Sequence, residues 1–191
     1  AKDNGKPETL AGNVDIPRAS ANIRFFAGAI LHDSSKMHEM DGKAINYTLR
    51  QPVGVAACIS PWNLPLYLLT WKIAPALASG NTVVAKPSEV TPMTAFILSK
   101  ICIEAGFPKG VLNIVHGLGN KIGDPLTTHI DTPIVSFTGG TVTGKHIATV
   151  TAPMFKKISL ELGGKNPNII FADADFDKAV SIASRAAFTN Q

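Results

Sequence analysis

The 191-residue chain contains 45% apolar and 17% charged residues, which fits a globular protein with a substantial core and excludes an intrinsically disordered chain. Its net charge of +4 is dispersed rather than gathered in a stripe, so nucleic acid is not an expected partner. The two cysteines, Cys58 and Cys102, belong to no metal-binding or disulfide pattern, so the sequence predicts no metal site and fits a reducing, cytoplasmic compartment.

The first 52 residues are predicted to form a helical and short-strand segment that borders the main domain. Apolar side chains recur with the helical period up to about Leu31 and predict an outer helix with one face on a core. These side chains are Ile16, Ile23, Phe26 and Ile30. A short strand is predicted over residues 46–49, before a turn at Gln51 and Pro52.

Beyond this turn, apolar β-branched runs alternate with helical patterns. Most runs are continuously apolar, which is typical of strands covered on both faces. Strand and crossover helix in alternation predict an α/β fold with a doubly wound parallel sheet, in which ligands bind beyond the carboxyl ends of the strands. The predicted strands cover residues 53–59, 82–85, 111–115, 134–137, 158–162 and 168–171.

Helix boundaries between these strands carry recognisable signals. Thr91 is predicted to be an N-cap, with Pro92 at the first helical position, and Gly106 is predicted to close that helix. Gly80 and Asn81 are predicted to close the preceding helix.

No membrane association is expected from the sequence. The most apolar stretch, residues 64–78, is too short to cross a bilayer and is interrupted by Lys72 and Pro75. No charged-then-apolar leader opens the chain. The chain starts at Ala1 in mid-pattern and stops at Gln191 directly after a helical pattern, so we expect a piece of a longer protein.

The loops after the first two strands of the sheet offer polar side chains. In "CISPWNLPL", two prolines stiffen a turn that displays Trp62 and Asn63, whose amide is either an oxyanion donor or a cap for the helix that begins near Leu64. In "AKPSE", Lys86 and Glu89 are either ligands of a ribose or a solvated surface pair.

Two glycine-rich loops follow later strands. "GLGNKIG" at residues 117–123 misses the dinucleotide fingerprint by one residue in its final spacing. "SFTGGTVTGKH" at residues 136–146 opens a helix whose first amides can bind a phosphate. Its glycines and Lys145 also match the phosphate loop of NTPases, but His146 replaces the hydroxyl residue that holds magnesium, which counts against that alternative.

The segment "SLELGGKNPNIIF" places a carboxylate, Glu161, inside an apolar run. Burial of an unpaired carboxylate costs several kcal/mol in practice, so the pattern indicates a paired charge, a proton-transfer group or a carboxylate that is not buried.

Taken together, "PWN", "KPSE", "FTGGTVTG" and "LELGGKNP" at successive strand ends resemble the NAD(P)-dependent aldehyde dehydrogenases over nearly the whole chain. The run at residues 60–89 resembles the branch that acts on muconate-type semialdehydes. The resemblance implies a Rossmann-like NAD-binding domain over residues 53–163 and the start of a truncated catalytic domain over residues 164–191. It also implies a full-length parent that is a homo-oligomer, a dimer or tetramer.

In this family a cysteine thiolate attacks a small-molecule aldehyde, hydride passes from the adduct to the cofactor, and water hydrolyses the thioester. By resemblance, Asn63 donates to the oxyanion of the adduct and Glu161 is the general base, with Gly163 and Gly164 leaving room beside it. An apolar setting would favour the protonated form of this acid. The family's nucleophile follows a motif just beyond this chain, and we expect Cys58 and Cys102 to be core residues.

The resemblance implies NAD as the cofactor rather than NADP, because Glu89 would repel a 2′-phosphate. Gly140 stands where many relatives have serine, and Thr143 stands where many have an aliphatic residue. The implied cofactor-binding residues are Ile59, Ser60, Trp62, Lys86, Glu89, Gly119, Gly123, Thr138, Gly139, Gly140, Thr143 and Leu162. The alternatives are a non-catalytic NAD-binding protein and, less favoured, an NTPase.

Overall fold

Strands and helices alternate along the chain, as the sequence pattern predicts. The computed structural model describes residues 1–164 and 167–188. Lys165 and Asn166 of the "LELGGKNP" motif and the last three residues lie outside the described part. The elements in chain order are α1 (Glu8–Leu10), α2 (Ile16–Ala29), β1 (Met37–Met40), β2 (Ala44–Tyr47), β3 (Val55–Ile59), α3 (Pro65–Ala78), β4 (Thr82–Lys86), α4 (Met93–Glu104), β5 (Leu112–Ile114), α5 (Gly119–Thr127), β6 (Ile134–Gly139), α6 (Thr141–Thr151), β7 (Lys157–Leu162) and α7 (Phe176–Phe188).

A parallel sheet organises the fold. Its strand order is β5-β4-β3-β6-β7, with β3 in the middle and all neighbouring strands parallel. The chain runs outward from β3 through β4 and β5, then returns to the other side of β3 with β6 and β7. This reversal creates a crevice between the carboxyl ends of β3 and β6, where doubly wound sheets bind ligands. The predicted α/β class and parallel sheet are confirmed.

Helices cover both faces of the sheet. Alternate residues of β3 point to opposite faces: Cys58 packs with Leu69 of α3 and Leu98 of α4, whereas Ala57 packs with Ile147 of α6. Val83 of β4 and Val135 of β6 are completely buried in these two layers. The central strands therefore read as continuous apolar runs because both of their faces are covered.

Five predicted strands form, with ends shifted by one or two residues, but the strand predicted over residues 168–171 is wrong. This segment has no regular secondary structure and is not part of the sheet, and Ile169, Ile170 and Phe171 are exposed. Apolar β-branched residues make a strand only where a neighbouring strand pairs with their backbone, and no described strand pairs with this one. The edge strand β7 is exposed on one face, which fits the polar residues Ser159 and Glu161 in its run.

An antiparallel hairpin of β1 and β2 precedes the sheet. The predicted strand at residues 46–49 corresponds to β2, which begins two residues earlier, while β1 was not predicted. Both strands are exposed along their whole length, so they lack the apolar alternation that would have revealed them.

The predicted apolar face of the first helix is buried only in part. Ile16, Ile23 and Ile30 are exposed and Phe26 is half-buried beside Trp71 of α3, whereas Ala19 and Asn22 are buried where α2 packs on α3. The small Ala19 permits close approach, and Asn22 Nδ2 donates hydrogen bonds into α3. A contact made by a small residue and a polar residue does not appear in the periodicity of large apolar side chains.

The sequence signals predict the C-terminal ends of α3 and α4 correctly but not the N-terminal end of α4. Gly80 and Gly106 adopt left-handed φ angles of 83° and 80° just after α3 and α4, as predicted for closing glycines. Thr91 is not the N-cap of α4: the helix begins after Pro92 without a side-chain cap, and the Thr91 hydroxyl donates to the Trp62 oxygen instead. In the described residues, no helix is both long and apolar enough to cross a membrane.

Candidate active site

An open cleft of about 1180 Å³ lies at the carboxyl ends of the strands, beside the reversal in strand order. The loops after β3, β4, β6 and β7 and the first turns of α5 and α6 surround it. All of the site residues predicted from the sequence line this cleft: Ile59, Ser60, Trp62, Asn63, Lys86, Glu89, Gly119, Gly123, Thr138, Gly139, Gly140, Thr143, Glu161 and Leu162.

The loop between β3 and α3 presents Asn63 to the cleft. Leu64, rather than Asn63, occupies the cap position of α3, and no side chain caps this helix. The Asn63 Oδ1 atom is buried and accepts no hydrogen bond from the described residues. The capping alternative is therefore wrong, and this buried amide oxygen has no partner in the described structure.

Glu161 reaches the same cleft from β7. Its backbone pairs with Thr138 of β6, which places both residues at the same rim of the sheet. The side chain is exposed, so the predicted apolar burial is wrong for this chain. The physical reason is that β7 is an edge strand, and only its alternate residues, Leu160 and Leu162, pack on the core.

Lys86 and Glu89 form a pair at the end of β4 that matches the solvated surface pair only in part, because the Lys86 side chain is buried whereas the Glu89 side chain is 40% exposed. Lys86 is 3% exposed, and its Nζ donates to Glu89 Oε2 at 2.9 Å and to the Pro87 oxygen at 3.0 Å. Glu89 Oε1 accepts a hydrogen bond from the Gly119 amide at 3.2 Å. The hydrogen bond from Lys86 is the largest cause of a lowered pKa of Glu89, so this carboxylate carries a negative charge at neutral pH.

The glycine turn after β6 leads directly into α6. Gly140 is the cap residue of α6 and has no side-chain hydrogen bond to the first turn, so amides of that turn are open to a ligand. A Cβ at Gly140 would meet nothing within 4 Å, whereas one at Gly139 would lie 2.5 Å from the Phe137 ring. Lys145, the lysine of the NTPase alternative, is exposed and is not among the residues lining the cleft.

Ser60 gives a direct indication that the cleft suits a polar ligand. This residue is 3% exposed, lines the cleft at the end of β3, and its Oγ has no hydrogen-bond partner among the described residues. A buried hydroxyl without a partner costs free energy, which a ligand with polar groups removes. Together with the open amides of α6, this donor set fits a dinucleotide.

Two features of the cleft region were not predicted. Lys72 of α3 is 7% exposed and donates to Ser136 Oγ at 3.2 Å; burial lowers its pKa, against the opposing effects of Cys58 and Glu161. In the sequence, the available signal for Lys72 was a lysine in an otherwise apolar helix.

His146 of α6 and Asp124 of α5 line the cleft. His146 Nε2 lies 2.8 Å from Asp124 Oδ1, and only the tertiary structure brings these residues together.

The sequence profile of the aldehyde dehydrogenase family matches residues 1–191. The chain belongs to the aldehyde dehydrogenase family. Among relatives of this aldehyde dehydrogenase chain, 2-aminomuconic semialdehyde dehydrogenase of Danio rerio is 58% identical over 100% of the chain and 39% of its own length. The 2-hydroxymuconic semialdehyde dehydrogenase of Pseudomonas sp. strain CF600 is 50% identical over 98% of the chain and 40% of its own length.

The solved structures give the same family. The NAD⁺ complex of an aldehyde dehydrogenase from Bacillus cereus is 44% identical and superposes with a TM-score of 0.92, covering 96% of this chain and 37% of that protein. The 191-residue chain therefore spans about two fifths of the length of these relatives.

Proposed function

We propose that this chain is part of an NAD-dependent aldehyde dehydrogenase that oxidises a small aldehyde, of the muconate-semialdehyde class, to the carboxylic acid. The observation that carries the proposal is that Asn63 and Glu161 line one cleft together with the whole predicted set of cofactor residues. The relatives named for aminomuconic and hydroxymuconic semialdehydes support the substrate class.

NAD, when bound, supplies the hydride acceptor for the oxidation. The residues that would hold it are the Lys86–Glu89 pair for a ribose, the open amides of α6 for a phosphate, and Ser60 for a further polar contact. Glu89 supports NAD over NADP because a carboxylate that is already charged repels a 2′-phosphate. The NAD⁺ complex of the Bacillus cereus relative supports the same cofactor.

The chain's own residues have two proposed roles in the chemistry. The Asn63 amide donates a hydrogen bond to the aldehyde oxygen as that oxygen gains negative charge, and an oxyanion donor of this kind contributes about 10²- to 10³-fold in rate. The Glu161 carboxylate accepts a proton from the water that releases the acid. We propose that the nucleophilic cysteine lies elsewhere in the full-length enzyme, because Cys58 is 1% exposed and Cys102 packs against the same core.

Several further properties belong to this proposal. We infer the domain division at residues 1–52, 53–163 and 164–191, with the middle segment as the cofactor domain and the last as the start of the catalytic domain. We further infer a homo-oligomeric parent, a dimer or tetramer, in the cytoplasm.

Glu161→Gln and Asn63→Ala in the full-length enzyme test the two roles separately. We expect Glu161→Gln to give one rapid burst of reduced cofactor followed by slow turnover, because water attack is impaired after hydride transfer. We expect Asn63→Ala to lower the burst rate itself by about a hundredfold. Stopped-flow absorbance of the reduced cofactor distinguishes these outcomes.

Thr149→Ala is a suitable control, because the described structure gives the side chain of this exposed α6 residue a hydrogen bond to the Lys145 oxygen within its own helix and no other. Unchanged kinetics are expected for it. Wild-type steady-state turnover in Glu161→Gln would contradict the general-base role. Tight NAD binding without aldehyde oxidation by the full-length wild-type protein would favour the non-catalytic binding protein instead.

A further inference from the structure

Asn4 joins the N-terminal turn of the chain to the loop that carries Asn63. Its Nδ2 donates hydrogen bonds to the main-chain oxygen of Trp62 at 2.8 Å and to that of Asn63 at 3.3 Å. One side-chain amide thus holds two consecutive peptide groups of the cleft loop. The Asn4 Oδ1 atom is buried and accepts no hydrogen bond from any described residue. In the described structure, this amide therefore forms hydrogen bonds as a donor to the loop.

The turn that carries Asn4 is anchored on both sides. Asp3 Oδ2 accepts a hydrogen bond from the Met93 amide at 2.9 Å, which ties the turn to the start of α4. Lys6 is 5% exposed and pairs with Asp15 at 2.8 Å, which ties the turn to the segment before α2. Asn4 is therefore held by the fold and not by the loop that it contacts.

The loop itself has few other polar restraints. The Thr91 hydroxyl donates to the same Trp62 oxygen, but at 3.4 Å, which is long for a hydrogen bond. The Asn63 Oδ1 atom accepts no hydrogen bond from any described residue, and Leu64 at the start of α3 provides no side-chain cap. The direction of the Asn63 amide therefore depends on the position of its backbone, where Asn4 makes the shorter polar contact.

We propose that Asn4 is a positioning residue for aldehyde oxidation: its hydrogen bonds to the Trp62–Asn63 peptides set the direction of the Asn63 amide toward the substrate oxygen. The inference rests on the proposed function, because it requires Asn63 to be the oxyanion donor. A misplacement of about 1 Å of a group near the chemistry costs about a hundredfold in rate. Loss of the Asn4 amide, which leaves Asn63 in place but less well held, is therefore expected to lower kcat by about ten- to a hundredfold.

A double-mutant cycle in the full-length enzyme tests the proposal. The four proteins are wild type, Asn4→Ala, Asn63→Ala and the double variant, each measured for kcat, KM for the aldehyde and thermal midpoint. If Asn4 acts through Asn63, the double variant is no slower than Asn63→Ala alone, because the group that was positioned is already gone. Asn4→Asp, which keeps the shape but replaces the donor with a carboxylate that the two carbonyl oxygens repel, is expected to lower kcat at least as much as Asn4→Ala and carries the test if the alanine variant does not fold.

Asn22→Ala is the matched control. Asn22 Nδ2 also donates twice across a long sequence separation, to the Tyr67 oxygen at 3.2 Å and to Thr70 Oγ1 at 3.1 Å, but these partners lie in α3 beyond the cleft loop. Its loss is expected to lower the thermal midpoint and to leave kcat near the wild-type value.

Two results would overturn the inference: a wild-type kcat in Asn4→Ala or Asn4→Asp, or losses that multiply in the double variant. Either leaves the proposed function standing if Asn63→Ala is slow. A full-rate Asn63→Ala enzyme would be a different failure, because it removes the proposed role of Asn63 and with it the group that Asn4 positions.

Discussion

Cys58 has a thiol at the centre of the fold, close to a charged group, and yet it is chemically inert by position. Burial raises the pKa of Cys58 to about 12, and the positive charge of Lys72 offsets only part of that shift. At neutral pH the thiol is protonated, and a protonated thiol is a poor nucleophile. The sequence prediction that Cys58 is a small core residue is confirmed by its position in β3.

Alkylation measures this protection. At pH 8 a thiol of pKa about 12 is ionised in about one molecule in ten thousand, so we expect iodoacetamide to leave Cys58 unmodified in the native protein. In a Cys102→Ser variant, Cys58 is the only thiol of residues 1–191, and peptide mapping by mass spectrometry reports its modification separately from that of thiols elsewhere in the full-length enzyme. The same variant in urea is expected to react fully. Rapid modification of the folded protein would contradict the buried, protonated thiol.

At the scale of elements, two helices end in the same way but in different surroundings. Gly80 after α3 and Gly106 after α4 share a left-handed backbone, with φ angles of 83° and 80°. A Cβ added to Gly80 would lie 2.7 Å from Pro52 Cγ, whereas one added to Gly106 would meet nothing within 4 Å. The two glycines therefore separate the cost of the backbone conformation from the cost of a steric clash.

Gly106→Ala and Gly80→Ala are a matched pair for this comparison. Gly106→Ala is expected to lower the free energy of unfolding by about 1–2 kcal/mol, because L-residues disfavour the left-handed conformation. Gly80→Ala should cost about 1–3 kcal/mol more, because the rigid Pro52 ring must shift. Urea denaturation of both variants beside wild type measures the difference. Equal midpoints for the two variants would show that Pro52 moves at no cost.

At the scale of the whole molecule, the apolar residues divide into a buried sheet core and a large exposed remainder. The hairpin of β1 and β2 is exposed along both strands, and Ile45 has 62% of its surface exposed. Val83 in β4 is completely buried between the sheet and its helices. Stability of the described structure therefore depends on the parallel sheet and far less on the hairpin.

Threonine substitutions at these two β-branched positions test that division. Ile45→Thr is expected to change the free energy of unfolding by less than about 0.5 kcal/mol, as is usual for exposed positions. Val83→Thr should cost about 1–3 kcal/mol, because it buries a hydroxyl without a designed partner. Thermal and urea unfolding of the two variants provide the comparison. A large loss from Ile45→Thr would mean that the hairpin supports the core.

The alternation of apolar runs and helices determined the parallel sheet, and the family resemblance of the motifs at strand ends supplied fourteen of the residues that line the cleft, without His146 and Asp124. These features are readable from local sequence because strand and helix periods, glycine turns and strand-end position depend on near neighbours. The tertiary structure alone decided that Glu161 is exposed, that residues 168–171 do not join the sheet, and that Asn22 rather than Ile23 faces α3. It also placed Asn4 against the Asn63 loop, 59 residues away in sequence. Each of these depends on which distant segment lies opposite a side chain, and a one-dimensional pattern does not contain that information.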